Sequence, residues 1–172
     1  IKGIMGGGAA PGGASDKVVV AWRDALVESG REAELGTDLI VGLSVYIAET
    51  QEKAIEEVRP FFEENMKMFA PLGFVRGLTD DQIEAIADQK RAQTTKLPTL
   101  EEAVEAGSWL CGPPELITEK IMQIQEKYPG LEEVNIGQPV GTPQSVLLEQ
   151  LERFAEEVMP AFKGKVTAAA SD

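Results

Sequence analysis

Hydrophobic residues recur with two different periods along the chain, the two-residue period of strands and the longer period of helices. Segments with the two periods alternate. In residues 39–47 apolar residues occupy every second position, and several of the residues between them are also apolar. An apolar pattern on both faces is typical of a buried strand in a parallel sheet. Shorter apolar runs at residues 1–5 and 134–137 predict two further strands.

Three longer segments show the helical spacing of apolar residues. They follow the capping candidates Ser15 and Asp16, then Thr50, and finally Pro143, which suits the first position of a helix. The buried faces that we expect for the three helices are Val18, Val19, Trp22, Ala25 and Leu26; Ala54, Ile55, Val58, Phe61, Phe62 and Phe69; and Val146, Leu147, Leu151, Phe154 and Val158.

Proline and glycine indicate where helices begin, bend and end. The proline pair at 113–114 follows a short extended piece and predicts the start of another helix. Gly30 ends the first helix and Pro160 ends the last. Pro60 falls inside the second helix, so we expect a kink or a break there.

The segment between the second strand and the proline pair is predicted to be helical. Residues 71–98 lack strand character. Thr79 with Gln82, and Thr99 with Glu102, have the spacing of capping boxes, which predicts two short helices. We therefore expect a helical insertion over about residues 51–107.

The predicted order is strand, helix, strand, helical insertion, helix, strand, helix. Strands that alternate with helices indicate a parallel sheet with right-handed crossovers, an α/β fold. Three strands leave open edges, so we expect the complete sheet to need partners outside these residues. The chain also begins, at Ile1, inside a predicted strand, and we take it to be part of something longer.

The charge of the chain excludes some partners. The formal net charge is -13, whereas nucleic-acid binding and docking on anionic lipid need a cationic face. No apolar run reaches the roughly 18 residues of a membrane span. The sequence therefore favours a protein that binds neither nucleic acid nor membrane.

The residue types present also limit the chemistry. The chain has no histidine, which excludes Ser-His-Asp and Cys-His catalysis within it and disfavours a zinc site, so we predict no metal. Cys111 is the single cysteine and has apolar neighbours, which favours a buried structural thiol. The absence of an internal disulfide suits a reducing compartment, and we expect a cytoplasmic location.

Glycine-rich loops are the main candidates for binding. Gly6, Gly7 and Gly8 follow the first strand and could bring backbone N–H groups to a phosphate, with help from the helix that begins near Lys17. Neither established phosphate-loop pattern is present, so a plain turn stays open beside the phosphate role. Loops after Gly112 and Gly137 fall at the same sheet edge, where ligands bind in α/β proteins, and for each of them a plain turn is the alternative that the residues favour.

The chain resembles the bacterial luciferase-like flavin-dependent monooxygenases at VYIAETQEKAIEEV and at GTPQSVLLEQLERFAEEVMPAF. The family often shows an Ala-Glu-Thr turn after a strand, then a Gly-Ser-Pro-Glu helix start, then a helix like FAEEVMPAF. The matching residues are Ala48, Glu49, Thr50 and Ala54; Gly112, Pro113, Pro114 and Glu115, where Pro113 replaces the usual Ser; and residues 154–162.

This resemblance implies a fold. The family has a (β/α)8 barrel, a TIM barrel, with an insertion before its seventh helix, so residues 1–162 would be its C-terminal portion, with about three of the eight strands. The insertion would span about residues 51–107, and residues 163–172 would form a flexible tail. The missing N-terminal half would supply the other strands, with most substrate and flavin-ring contacts.

The resemblance also implies a function: a flavin-dependent oxidoreductase or monooxygenase that uses reduced FMN or F420 on a small organic substrate. Gly6, Gly7 and Gly8 would lie near the cofactor phosphate, and Gly137 and Gln138 would line the pocket. No catalytic residue can be assigned, and this part alone is expected to be inactive. A second copy of the chain or a flavin reductase would be further partners.

Two other functions fit the residues. The chain could be a non-catalytic relative that binds flavin or another ligand, or a packing module of a larger complex, which the lack of histidine favours. It could also belong to another phosphate-binding α/β barrel enzyme that uses the glycine loop. Turnover with NAD(P)H or F420, and binding of phosphate without flavin, distinguish these alternatives.

Overall fold

The computed structural model describes residues 2–6, 14–69, 72, 80–88, 90–91 and 95–163. Its strands are β1 (Gly3–Met5), β2 (Leu39–Ile47), β3 (Trp109–Gly112) and β4 (Glu133–Gly137). Its helices are α1 (Ala14–Glu28), α2 (Gln51–Phe69), α3 (Asp80–Ala87), α4 (Leu100–Glu105), α5 (Pro114–Lys127) and α6 (Gln144–Arg153). A π-helical turn, Phe154–Val158, and a 3-10 turn, Met159–Phe162, continue α6.

The four strands form one parallel sheet in which β2 pairs with each of the others. Ile40 is paired with residues of both β1 and β4, so those two strands flank β2 on opposite edges. Ser44 is likewise paired with Trp109 of β3 and Gly137 of β4. It follows that β4 lies along one edge of β2, and β1 and β3 follow one another along the other.

The described sheet has four strands, one more than the sequence pattern indicates. The additional strand is β3, which the sequence shows only as a short extended piece before the proline pair. Its four residues are all buried, so no alternation of polar and apolar residues reveals it. The buried parallel character predicted for β2 is confirmed, since Val41, Val45 and Ile47 are each at most 1% exposed.

Helices cover both faces of the sheet. The odd-numbered residues of β2 pack with α1, α5 and the turns after α6, whereas Tyr46 and Ala48 pack with α2 and α4. In a (β/α)8 barrel the helices form a ring on the outer face only. The described residues thus form a parallel α/β sheet. That residues 1–162 are part of a barrel, and that residues 163–172 form a tail, stay predictions.

Several predicted helix ends are confirmed. Thr99 and Glu102 form the expected capping box, with Glu102 N–H donating to Thr99 Oγ1 at 3.2 Å and Thr99 N–H to Glu102 Oε2 at 2.9 Å. Lys53 N–H donates to Thr50 Oγ1 at 3.2 Å in the first turn of α2. Gly30 has φ +84 just after α1, a conformation that glycine adopts without strain.

No break occurs at Pro60, because α2 runs on to Phe69 with this proline inside it, and the alternative of a kink stays a prediction. Three expectations about helices need correction. In α1 the predicted core residues Val18 and Ala25 are exposed. In α6 the predicted core residue Leu151 is 40% exposed, while Gln150 is 3% exposed. Pro160 does not end an α-helix, since the α-helical part stops at Arg153 and Pro160 lies in the 3-10 turn.

Two expectations fall on residues that the structure does not describe. The capping box at Thr79 lies outside the described residues, although α3 begins at the next position, Asp80. The predicted flexible tail is described only at Lys163. Both stay predictions.

Candidate functional site

The carboxyl ends of the parallel strands form the candidate site. Because all strands run the same way, the loops after Met5, Ile47, Gly112 and Gly137 leave the sheet at one edge. Ligands bind in the crevice outside this edge in open α/β sheets. We call it the carboxyl edge.

The described glycines of the predicted site, Gly6 and Gly137, lie on opposite sides of β2 and at different positions along it. Gly6 follows Met5, which is paired with Val41, whereas Gly137 is paired with Ser44. Gly6 is therefore about two residues, or about 7 Å, nearer the start of β2 than Gly137 is. Both are exposed, and an added Cβ at Gly6 would meet no atom of the described residues within 4 Å apart from its chain neighbours. Gly7 and Gly8 lie outside the described residues.

The amino end of α1 does not reach the carboxyl edge. Tyr128, just after α5, donates its hydroxyl to Asp16 Oδ1 at 2.5 Å, and Lys127 Nζ lies 2.5 Å from the same oxygen. The end of α5 leads into β4, so it lies at the opposite edge of the sheet, where the strands begin. The first turn of α1 therefore lies away from Gly137, and its dipole does not supplement the loop after β4.

Gln138 is placed at the carboxyl edge with its side-chain amide fixed. Its Nε2 donates to the carbonyl of Val45 at 3.0 Å. Its Oε1 is buried and has no hydrogen-bond partner among the described residues. Buried amide oxygens normally have a partner, so this oxygen indicates a position where a donor is missing.

Two side chains of the last helix complete the edge of β2, and sequence reasoning missed both. Gln150 bonds the N–H and the C=O of Ile47, with distances of 2.6 and 3.0 Å. Arg153 Nη1 donates to the same carbonyl at 2.9 Å. With Gln138, these side chains bond the part of β2 that β4 leaves unpaired after Ser44.

The guanidinium of Arg153 is already paired. Its Nε donates to Glu157 Oε1 at 3.0 Å, and this hydrogen bond raises the pKa of Arg153. Nearby, Lys53 Nζ lies 2.5 Å from Glu49 Oε2, and the hydrogen bond from Lys53 lowers the pKa of Glu49. The cations at this end of β2 thus have carboxylate partners, which leaves them poorly suited to hold a phosphate.

Two protonatable groups lie behind the edge, on the side of α2. Burial raises the pKa of the Cys111 thiol to about 12, which supports the structural role predicted for it. Burial also raises the pKa of Tyr46 to about 12, assisted by the negative charges of Glu57 and Glu149. Neither group is poised to exchange a proton near neutral pH.

A signal for Gln150 exists in the sequence. Val146, Gln150, Phe154 and Val158 are spaced by four residues, and the π-helical turn from Phe154 has a wider repeat than an α-helix. The apolar pattern favours Leu151 instead, because a buried glutamine is uncommon. Arg153 carries no such signal, since an arginine on a helix is ordinarily exposed.

Within the described residues, no helix is long and apolar enough to cross a membrane. The same residues include no group of three or more His, Cys, Asp and Glu side chains that could hold a metal ion.

The described residues form a parallel α/β sheet whose strand-to-helix loops leave at the carboxyl edge. The chain belongs to the luciferase-like monooxygenase family, whose family model matches residues 1–129. Comparison with curated proteins gives no match.

Three solved structures share the fold with low sequence identity. One is the FMN-bound oxygenating constituent of 3,6-diketocamphane monooxygenase from Pseudomonas putida, with 19% identity, TM-score 0.54, and coverage of 83% of this chain and 38% of that one. The monooxygenase RslO1 from Streptomyces bottropensis has 17% identity, TM-score 0.57, and coverage of 92% and 41%. The riboflavin lyase RcaE, with modified FMN and riboflavin, has 19% identity, TM-score 0.56, and coverage of 98% and 40%. The chain spans about two fifths of the length of these structures.

Proposed function

We propose that this chain is the C-terminal part of a flavin-dependent oxidoreductase or monooxygenase that acts on a small organic substrate. The observation that carries the proposal is the match of the luciferase-like monooxygenase family over residues 1–129. Support comes from the parallel sheet, whose carboxyl edge is where such folds bind ligands. Two of the similar structures hold FMN or a modified FMN.

The cofactor of this proposal is reduced FMN or F420, which would supply the redox step. Different residues at the carboxyl edge are suited to different parts of such a cofactor. Gln138 Oε1 is a buried acceptor that has no partner within the described ranges, which suits a hydrogen-bond donor. Gly137 is exposed beside it, and a Cβ added there would lie 3.9 Å from Leu43 O. Gly6, Gly7 and Gly8 stay our candidates for neighbours of the phosphate.

The rest of the active site would come from the remainder of the protein. The similar structures are more than twice as long as this chain, since it covers 38%, 41% and 40% of them. We propose that the missing half completes a (β/α)8 barrel on these strands and supplies the catalytic residues. A second copy or a flavin reductase would be a further partner, and the location would be the cytoplasm.

The test is cofactor binding by the intact protein that contains this chain. Titration with FMN and with F420, each reduced and oxidised, should show binding of one of them, followed by its oxidation in the presence of O2 or of a substrate. Binding without turnover would instead support a non-catalytic ligand-binding relative. Binding of neither cofactor would contradict the proposal and favour a packing module of a larger complex.

A further inference from the structure

We propose that Gln138 Oε1 accepts a hydrogen bond from an N–H or O–H of the ring and ribityl part of the cofactor, not from its phosphate end. This inference rests on the proposed function. It starts from one juxtaposition: the side-chain amide of Gln138 is bound at its nitrogen by β2, while its oxygen is buried at the carboxyl edge and has no partner in the described part of the chain.

The orientation of the amide is fixed by its partner. The carbonyl of Val45 can only accept, so the nitrogen of Gln138 must face it, and Nε2 lies 3.0 Å from that oxygen. A flipped amide would set two carbonyl oxygens against each other. The oxygen of Gln138 is therefore the group that is left to bind something else.

The backbone around Gln138 is also held in place. Gly137, just before it, is paired with Ser44 of β2. Just after it, Pro139 accepts hydrogen bonds from Thr142, from Oγ1 at 2.7 Å and from N–H at 3.3 Å, which closes the loop. A side chain between two fixed points offers its acceptor in a defined position, as recognition of a ligand requires.

The chemistry of an acceptor selects the part of the cofactor. A phosphate presents acceptor oxygens and negative charge, so it gains nothing from an amide oxygen. The flavin ring carries the imide N3–H, and the ribityl chain carries hydroxyls; both are donors, and F420 has them as well. A buried acceptor without a partner destabilises the protein, and a donor from the cofactor would remove that penalty.

The test combines changes in the residue with changes in the ligand, in the intact protein that contains this chain, and compares the resulting affinities. Dissociation constants of riboflavin, 3-methylriboflavin, lumiflavin and FMN are measured by quenching of flavin fluorescence for wild type and for Gln138→Met, which is similar in size and lacks the amide. Gln144→Met, at an exposed position of α6, is the matched control and should change no affinity.

Two patterns support the inference and distinguish the donors. If N3–H is the donor, wild type binds riboflavin about tenfold more tightly than 3-methylriboflavin, and Gln138→Met abolishes this difference. If a ribityl hydroxyl is the donor, Gln138→Met weakens riboflavin and 3-methylriboflavin about tenfold but leaves lumiflavin unchanged. In both patterns the ratio of FMN to riboflavin affinity stays as in wild type.

Other results overturn the inference. Gln138→Met could lose affinity equally for all four ligands, or lose affinity for none of them. It could also lose affinity for FMN alone, which would place Gln138 at the phosphate. Gln138→Asn keeps the amide but shortens the side chain, so it should give the same pattern of affinities as Gln138→Met. It replaces Gln138→Met in the test if Gln138→Met does not fold. If wild type binds only F420, Gln138→Met should weaken F420 about tenfold, and equal affinity is the overturning result. Failure of wild type to bind any of these cofactors contradicts the proposed function itself.

Discussion

Gln150 of α6 bonds both backbone groups of Ile47, the last residue of β2. The N–H of Ile47 donates to Gln150 Oε1 at 2.6 Å, and Gln150 Nε2 donates to the carbonyl of Ile47 at 3.0 Å. Pairing with β4 ends at Ser44, so the side chain of a helix continues the bonding that a neighbouring strand would provide. Gln150 is 3% exposed, which makes this a buried contact between two elements far apart in sequence.

We expect Gln150→Leu to lower the free energy of unfolding by about 1–3 kcal/mol, because it leaves the buried N–H of Ile47 without an acceptor. The carbonyl of Ile47 keeps the hydrogen bond from Arg153, so most of the loss comes from the N–H. Urea unfolding measures the difference. Gln144→Leu makes the same change at an exposed position of α6 and should cost under about 0.5 kcal/mol. Equal effects of the two substitutions would contradict the role of Gln150.

The general class of fold could be predicted from the sequence because β2 carries its signal along its whole length. Nine residues that are apolar on both faces indicate a buried parallel strand without any knowledge of its neighbours. The pairing could not be predicted. Which edge of β2 receives β3 and which receives β4 depends on backbone pairing between strands far apart in sequence, and no local pattern contains that information.

Phe62 of α2 contacts Trp109 of β3 edge to face, with ring centres 5.2 Å apart. We expect Phe62→Ala to lower the free energy of unfolding by about 3–4 kcal/mol, because it removes a buried aromatic side chain and leaves a cavity. It should also change the tryptophan fluorescence of the folded protein. Met68→Ala, at a residue of α2 that is 51% exposed, is the control and should change neither quantity much. A wild-type emission spectrum in Phe62→Ala would contradict the packing of α2 on this face.

Tyr128 and Asp16 join the end of α5 to the start of α1. We expect Tyr128→Phe to lower the free energy of unfolding by about 1–2 kcal/mol, since it removes a hydrogen bond to a carboxylate. Asp16→Asn weakens the same contact and also the ion pair with Lys127. In a double-mutant cycle, the two substitutions together should cost less than the sum of their separate effects. Strict additivity would show that the two side chains do not interact in solution.

The candidate site was only partly predictable, for a reason that Gln138 and Gln150 share. The sequence indicates which loops reach the carboxyl edge, because strand ends can be read from periodicity and glycine, and Gly137 and Gln138 follow from this. It does not indicate that side-chain amides bond the exposed edge of β2 at Val45 and Ile47. That requirement arises only because β4 stops at Ser44, a property of the assembled sheet.

Tyr46 should make the folded state sensitive to alkaline pH. Its pKa is raised from 10.0 to about 12 in the folded protein, mainly by burial. The folded state therefore holds this proton more tightly than the unfolded state, and the associated stability is complete below pH 10 and is lost as the pH rises towards 12. The pKa of the Cys111 thiol is also raised, from 9.0 to about 12, so its deprotonation adds a further loss of folding stability that begins near pH 9.

The urea midpoint of the wild type should fall steadily above pH 9. In Tyr46→Phe the part of this fall above pH 10 should be smaller, while the part due to Cys111 remains. Tyrosinate absorbance provides a second measurement: in the native protein it should appear near pH 12 for Tyr46, and in urea near pH 10. Equal alkaline losses of stability in wild type and Tyr46→Phe would show that the hydroxyl of Tyr46 exchanges its proton as freely in the folded chain as in the unfolded one, contrary to its burial between β2 and α2.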